Sequence, residues 1–174
     1  LLAENVELTE GIFRMLIRKR GPAHTRVVVH GELPPDLKAR TTHLLPIEGV
    51  LLLQSIPLLA HATAEQLWNL SAMFKPVSFK SGEEVLSPGG EASMLIVLSG
   101  SLHSQPDTGE PQTADSGDLV GMYETLSGTP FAATVTASAD GLALKCGRAD
   151  ILDALADNTD LLQGIFSGLL HARE

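Results

Sequence analysis

The hydrophobic pattern of the chain changes its period twice, and this change constrains the fold more than any other feature. Apolar residues recur at helical spacing up to about residue 74 and again from residue 148. Between them, residues 76–146 alternate apolar and polar side chains in short runs separated by glycines, as strands joined by tight turns do. The order therefore predicts an α+β fold in which an antiparallel β-roll or barrel lies between N- and C-terminal helices.

The individual elements follow from the same pattern. Helical spacing covers residues 2–17 and 46–54, and Thr63 and Gln66 have the spacing of a capping box that opens a further helix. Helical spacing returns from Arg148 towards the C-terminus. The strand candidates are residues 26–30, 76–79, 83–87, 94–104, 118–122, 132–137 and 142–146.

The net charge is concentrated in the central segment. The formal charge of the chain is −9. No Lys or Arg lies between Lys80 and Lys145, whereas nine Asp and Glu residues do, and outside this segment twelve acids face twelve bases. Such a surface repels nucleic acid, whose binding requires neutralised phosphates, so a nucleic-acid partner is not expected. A surface that only keeps the protein soluble accounts for the charge equally well.

Three features indicate a cytoplasmic protein. No apolar run approaches the roughly 20 residues of a membrane helix. The first ten residues carry acids where a signal peptide would carry bases. Cys146 is the single cysteine and cannot form an internal disulfide, which fits a reducing compartment. We expect a membrane to be involved only through a parent protein on whose cytoplasmic face this domain would lie.

The two ends of the chain resemble each other. Residues 1–17 align with residues 154–170, and Gly-Ile-Phe recurs at Gly11 and Gly164. Glycine is a poor helix former, so a generic amphipathic pattern would not select it twice, although two helices that converged on similar cores remain an alternative. We expect tandem units in which residues 1–20 are the closing helix of a preceding, similar domain. Residues 21–45 would then be a linker and residues 46–174 the second domain.

Residues 46–170 resemble the cyclic-nucleotide-binding domain family. The family fold is an eight-stranded antiparallel β-roll of jelly-roll type, with helices before and after it and the ligand inside it. In members that bind, backbone N–H groups of a short helix, in a segment called the phosphate-binding cassette, hold the cyclic phosphate together with an Arg. A Glu accepts from the ribose 2′-hydroxyl. The matching segments are Gly82–Glu83, Val85–Leu86, Gly89–Gly90, Leu95–Leu98, Gly100–Leu102, the cassette at 115–137 and the closing helices at 147–170.

The sequence departs from the family pattern at both polar ligand-binding positions. Gly121 matches the cassette glycine, but Met122 follows it where the family has Glu. Phe131 follows Pro130 where the family has Arg, and residues 132–135 then continue the family pattern. A charge-assisted hydrogen bond to phosphate contributes about 1.5–3 kcal/mol, so losing one weakens binding at least tenfold. The resemblance therefore implies a degenerate member that does not bind cyclic AMP or cyclic GMP tightly.

The residue types at these positions predict an apolar filling. Phe131 is expected to fold into the roll and close it, and an apolar or uncharged ligand is the alternative. Glu124, two residues beyond the missing Glu, is expected to face solvent. The positions that would contact any ligand are Gly121, Met122, Tyr123, Phe131, Ala132 and Thr134.

No other chemistry is indicated by the sequence. The six histidines lack metal-ligand spacing, and no nucleophile elbow, Walker loop or zinc-protease motif occurs. His103 and Cys146 are candidate haem ligands, but a surface histidine and a buried, inert thiol are the better interpretations. We therefore expect no enzyme activity, no metal and no cofactor.

These observations predict a non-enzymatic regulatory or interaction domain, acting in signal transduction within a larger bacterial protein. As the resemblance implies, the roll and cassette form a rigid body against which the closing helix moves from Asp150 onward. The expected partners are the parent protein or a second copy that docks on the apolar faces of residues 151–170, where helix 2–17 can also pack. The alternative is a working sensor that binds a cyclic nucleotide or another small ligand in the roll and signals through its C-terminal helix.

Overall fold

The computed structural model describes residues 2–19, 28–31, 33, 45–56, 59, 62–107, 109–156 and 158–171, and these residues form helices on both sides of a β-roll. The expected α+β class is confirmed. The helices are α1 (Leu2–Lys19), α2 (Pro46–Gln54), α3 (Ala64–Ser71), α4 (Met122–Ser127), α5 (Arg148–Ala156) and α6 (Thr159–His171). The strands are β1 (Val28–Val29), β2 (Lys75–Phe79), β3 (Glu84–Leu86), β4 (Ser93–Pro106), β5 (Gln112–Ala114), β6 (Leu119–Val120) and β7 (Ala133–Gly147).

The sheet is antiparallel throughout and is organised by its two long strands. Its order is β1-β6-β4-β7-β2, with β3 on β7 and β5 on β4. β4 and β7 pair from Ser93 opposite Gly147 to Pro106 opposite Ala133. The other strands therefore attach to a β4–β7 ribbon that runs the length of the roll.

The described residues form seven strands where the family resemblance implied eight. The strand candidates at 132–137 and 142–146 join into the single strand β7, and β5 was not predicted. At the middle of the ribbon, a Cβ on Gly100 would lie 2.6 Å from the carbonyl oxygen of Asp140, and Gly100 has φ +80°. The pairing register shifts between Val97 and Leu102 at this point. The ribbon thus remains continuous because glycine permits backbone contact where a side chain would separate the strands.

Two hydrophobic clusters lie on opposite faces of β4. One cluster, here called the roll core, lies inside the β-roll and includes Leu95 and Val97; the other, the helix core, lies between the sheet and the helices and includes Met94 and Ile96. Alternate residues of a strand point to opposite faces, which explains why this part of β4 is apolar at successive positions. The other buried members of the roll core are Val28, Phe79, Leu86, Leu102, Ala114, Val120, Phe131, Ala133, Val135, Ala137 and Ala143.

Local capping sets the ends of the helices around the helix core. The capping box predicted for α3 is confirmed, because Gln66 N donates to Thr63 Oγ1 (3.3 Å) and Thr63 N donates to Gln66 Oε1 (2.9 Å). Asn158 separates α5 from α6, since its Oδ1 accepts from Leu161 N at 3.2 Å. The same oxygen accepts from Gln66 Nε2 at 3.0 Å and so ties α3 to the α5–α6 junction.

Helix α1 packs against the C-terminal helices, as the sequence suggested for residues 2–17. Phe13 is fully buried, and its ring centroid lies 4.8 Å from that of Phe166 on α6. Glu10 pairs with Arg14 on its own helix and with Arg148 at the start of α5. The assignment of α1 to a preceding domain stays a prediction.

Part of the predicted linker belongs to the roll. Val28 and Val29 pair with Val120 and Leu119, and Gly31 N donates to Asp118 Oδ1 at 3.1 Å. Of the other residues in the stretch 21–45, the structure describes His30 and Leu45, which are exposed, and Leu33, which is buried. The boundaries of the predicted domains stay predictions. Among the described helices, none combines the length and the apolar character that crossing a membrane requires.

Candidate functional site

The cassette contains the six-residue helix α4, which lies between two glycines in the left-handed conformation. Gly121 precedes α4 with φ 77°, and Gly128 ends it with φ 66°. A Cβ on Gly121 would lie 2.6 Å from the carbonyl oxygen of Ser93 and 2.7 Å from Cε2 of Phe131. A side chain at Gly121 is therefore excluded by both backbone conformation and space, which accounts for this glycine in the sequence.

Phe131 fills the roll next to the start of the cassette helix. Its side chain is 2% exposed, belongs to the roll core and lies against Gly121. Ala133 and Val135, which follow at alternate positions, are fully buried in the same cluster. The aromatic ring thus occupies the interior of the roll from the position where the family pattern has an arginine.

Met122 and Tyr123 face the helices instead of the roll. Met122 is buried in the helix core, and the half-buried Tyr123 packs against the same cluster. Met122 also lines an apolar cavity of about 20 Å³ between the sheet and helices, together with Met94 and Ile165. This volume holds about one water-sized group, so the cavity is too small for an organic ligand.

The predicted site residues consequently do not converge on one pocket. Gly121 and Phe131 are in contact, whereas Met122 belongs to the other cluster. Ala132 is exposed and Thr134 is half-buried, because the alternation of the strand turns their neighbours inward. Phe131 folds into the roll as expected, whereas Met122 does not contribute to that filling, since it lies in the helix core.

Glu124 was expected to face solvent, but the structure buries part of its carboxylate. Its Oε2 is buried without a hydrogen-bond partner among the described residues. Burial raises the pKa of this carboxyl, and a hydrogen bond from its own backbone N–H offsets the shift only in part. Helix α1 packs against α4, the helix that carries Glu124, and Arg14 of α1 donates to the carbonyl oxygen of Ser127 on it. Helix periodicity alone does not reveal this packing, because α1 lies more than a hundred residues away in sequence.

Two arginines reach the cassette from outside the roll, at the C-terminal end of its helix. Arg14 Nε donates to the carbonyl oxygen of Ser127 at 3.4 Å. A Cβ on Gly128 would lie 2.8 Å from Nη2 of Arg148. Glu10 pairs with both guanidinium groups, and the C-terminal dipole of α4 favours them there. They therefore hold α1 on the cassette, at the end of α4 opposite to Gly121. The sequence alone does not predict this role, because both arginines lie far from α4 along the chain.

The residues weighed as haem ligands lie apart. On β4 and β7, His103 is opposite Thr136 whereas Cys146 is opposite Met94, near the other end of the ribbon. Burial and the nearby Asp150 carboxylate raise the pKa of the Cys146 thiol to about 12, so it is protonated at neutral pH. Among the described residues, no three His, Cys, Asp or Glu side chains are grouped closely enough to hold a metal ion.

The comparison with protein families agrees with this architecture. The family model described as cyclic nucleotide-binding domain matches residues 76–158, from β2 to the end of α5. These residues are a cyclic nucleotide-binding domain. No curated protein sequence matches the chain.

Solved structures share the fold of this cyclic nucleotide-binding domain. The sensor domain of the transcriptional regulator DNR from Pseudomonas aeruginosa is 23% identical, with a TM-score of 0.61 over 72% of this chain and 88% of that one. The N-terminal domain of a transcriptional regulator from Streptomyces coelicolor A3(2) is 21% identical, with a TM-score of 0.58 over 68% and 89% of the two chains.

A kinase regulatory subunit shares the fold as well. The regulatory subunit of a cAMP-independent protein kinase A from Trypanosoma cruzi, solved bound to guanosine, is 20% identical with a TM-score of 0.52. The match covers 70% of this chain and 50% of that one, so the chain spans half the length of that protein. The three similar structures come from regulators or their sensor domains.

Proposed function

We propose that this cyclic nucleotide-binding domain is a non-enzymatic regulatory and interaction domain that works without tightly bound cyclic AMP or cyclic GMP. In this proposal it acts in the cytoplasm as part of a larger bacterial protein. Phe131 carries the proposal, because its buried ring replaces the charged group that would meet a phosphate inside the roll. Burying a phosphate without a cationic partner is strongly unfavourable.

The charges around the roll support the same conclusion. No Lys or Arg occurs between Lys80 and Lys145. The two arginines that reach the cassette lie at the C-terminal end of α4 and are paired with Glu10. An anion at Gly121 would therefore meet neither of these guanidinium groups.

The contacts of α1 indicate how such a domain would be regulated. In the family, the closing helices move against the roll and cassette. Here α1 contacts the cassette through Ser127 and the closing helices through Arg148 and Phe166. We propose that α1 holds the cassette and the closing helices in one fixed arrangement, the part that a bound ligand plays elsewhere. Displacement of α1 by the parent protein would then release the hinge.

A second candidate function is a sensor of an uncharged nucleoside or another apolar ligand. The regulatory subunit from Trypanosoma cruzi belongs to a kinase described as cAMP-independent and was solved with guanosine, a nucleoside that carries no phosphate. A ligand of that kind does not require the missing arginine. Phe131 would have to leave the interior of the roll to admit it, which favours the first proposal.

Ligand-dependent melting tests the two candidates. Ligand at 100 times its dissociation constant stabilises a protein by about 2.7 kcal/mol, a shift that thermal melting resolves. We expect no shift of the wild-type chain with cyclic AMP, cyclic GMP, guanosine or adenosine. A shift with the nucleosides alone would favour the sensor, and micromolar binding of cyclic AMP by calorimetry would overturn the first proposal.

A matched pair of variants adds an expected positive result, because the wild-type chain is expected to show no shift. Phe131→Arg restores the cation of the family pattern, and Phe131→Leu keeps an apolar side chain of smaller size. We expect cyclic nucleotides to stabilise Phe131→Arg and to leave Phe131→Leu unchanged. Equal responses of the two variants would contradict the role assigned to this position.

A further inference from the structure

Helix α1 has a second face that the described residues leave largely exposed. Thr9 and Phe13 are buried against the domain, whereas Leu8 is 64% and Met15 is 52% exposed. With Gly11, which is also exposed, they lie at positions i, i+3 and i+7 and form one stripe along the helix. We call Leu8, Gly11 and Met15 the outer stripe. Two large apolar side chains therefore flank a glycine on the solvent side of α1.

No close contact in the described part of the chain requires a glycine at Gly11. A Cβ built on it meets no atom of the described residues within 4 Å, so these residues leave room for a larger side chain. Glycine in the interior of a helix is unfavourable relative to alanine. Its advantage is that the backbone of another helix can come close to it, and none of the helices that the structure describes does so.

Charged residues along the outer stripe indicate which partner fits. Glu7 lies at its N-terminal end, and Arg18 lies beyond its C-terminal end, both exposed. When a second α1 runs in the opposite direction, the acidic end of each helix lies beside the basic end of the other. A two-fold axis between residues 11 and 12 then places Leu8 opposite Met15 of the other copy and Glu7 within reach of its Arg18, and repeats both contacts by symmetry.

We propose that the outer stripe of α1 is an isologous dimer interface, and that its partner is an antiparallel α1 from a second copy of this chain. One helix pair buries less than the roughly 1,600 Å² of a standard interface, so the dimer is weak. The inference does not depend on whether the roll binds a ligand. It adds to the proposed regulation, because the helix that holds the cassette on one face would join two domains through the other.

The other apolar faces fit a second copy less well. Ile151, Leu152, Leu155, Leu161 and Ile165, the side chains expected to form a dimer interface on α5 and α6, are buried within the domain. The exposed residues there include Asp150, Asp153 and Asp160, which would repel their counterparts. Ile47 and Leu51 are exposed on α2, but that helix carries a single acid, Glu48, and no base to pair with it.

Charge reversal tests the pairing directly. Sedimentation velocity over a concentration series is expected to show a monomer–dimer equilibrium for the wild-type chain. Glu7→Arg or Arg18→Glu alone should weaken dimerisation about tenfold, because each places like charges together at both symmetric contacts. An equimolar mixture of the two variants should form a heterodimer as stable as the wild-type dimer, since both contacts are then complementary. Glu65→Arg on α3 is the matched control and should change nothing.

Apolar variants and a cross-link provide independent measurements. Leu8→Lys should abolish the dimer, whereas Ile47→Lys on the exposed face of α2 should preserve it, with circular dichroism melts to verify that both fold. Gly11→Cys should form a disulfide-linked dimer under mild oxidation, whereas Ser138→Cys, exposed on β7, should not. A chain that stays monomeric at every concentration overturns the proposal. A dimer that resists both charge reversals or is lost in Ile47→Lys overturns it as well.

Discussion

Phe131 and Met122, the two positions at which the cassette departs from the family pattern, lie in different cores. Phe131 enters the roll core, where its ring packs against Gly121 and closes the interior. Met122 enters the helix core and lines a cavity of about 20 Å³. Phe131 thus fills the interior of the roll, whereas Met122 joins the cassette to the helices.

The largest expected effects on stability come from truncating one aromatic residue in each core. Phe131→Ala in the roll core and Phe13→Ala in the helix core should each lower the free energy of unfolding by about 3–5 kcal/mol. Their patterns of hydrogen exchange should differ: Phe13→Ala should speed exchange in α1 and α4, and Phe131→Ala in β6 and β7. The same exchange pattern in both variants would mean that the two clusters form one cooperative unit.

A smaller effect is expected at Met122. Met122→Ala enlarges the existing cavity and should cost about 2–3 kcal/mol, whereas Met122→Leu nearly conserves volume and should cost under about 1.5 kcal/mol. Denaturant unfolding monitored by circular dichroism measures both. A cost below about 0.5 kcal/mol for Met122→Ala would indicate that Met122 does not join the cassette to the helix core.

The contact between Glu10 and Arg148 should contribute less again. Both side chains are partly shielded, at 22% and 28% exposed, so Glu10→Gln should destabilise by about 1 kcal/mol. The loss should shrink in high salt, because screening weakens the pair in the wild-type protein. Glu65→Gln, which removes an exposed acid of α3, is the control and should lie within about 0.5 kcal/mol of wild type.

The smallest expected effect concerns Glu124 and has the opposite sign. Because burial raises the pKa of this carboxyl in the folded state, the unfolded chain ionises first as the pH rises above the ordinary glutamate pKa of 4.5. The wild-type protein therefore loses stability as pH rises through this region, and Glu124→Gln should be more stable at pH 7. The difference should vanish below the unfolded pKa, where both states are protonated. A destabilised Glu124→Gln at pH 7 would contradict the burial of Oε2.

The regular elements could be predicted because their signals are local. The strand at 94–104 and the capping box at Thr63 depend on neighbouring residues, and both are confirmed. β5 was missed because Gln112–Ala114 is too short and too polar for a period of two to register. The strand β7 was divided in two because its middle, residues 138–141, carries a turn-like composition that the ribbon overrides.

The cassette could be located from the sequence, but its surroundings could not. The glycines and the pattern around Phe131 identify the segment and its missing charges. The separation of Met122 from Phe131 depends on which face of the roll each side chain takes, and a single period does not determine this. The burial of Glu124 and the grouping of Arg14, Glu10 and Arg148 arise from contacts between distant parts of the chain, for which one sequence contains no signal.

The position of Phe13 bears on how this protein should be trimmed for experiments. A truncation that began at Pro76, where the family match starts, would retain most of the strands. It would also uncover the ring of Phe166 and deprive Arg148 of its carboxylate. We expect such a product to aggregate, because α1 forms one wall of the domain even though it lies far outside the matched boundaries.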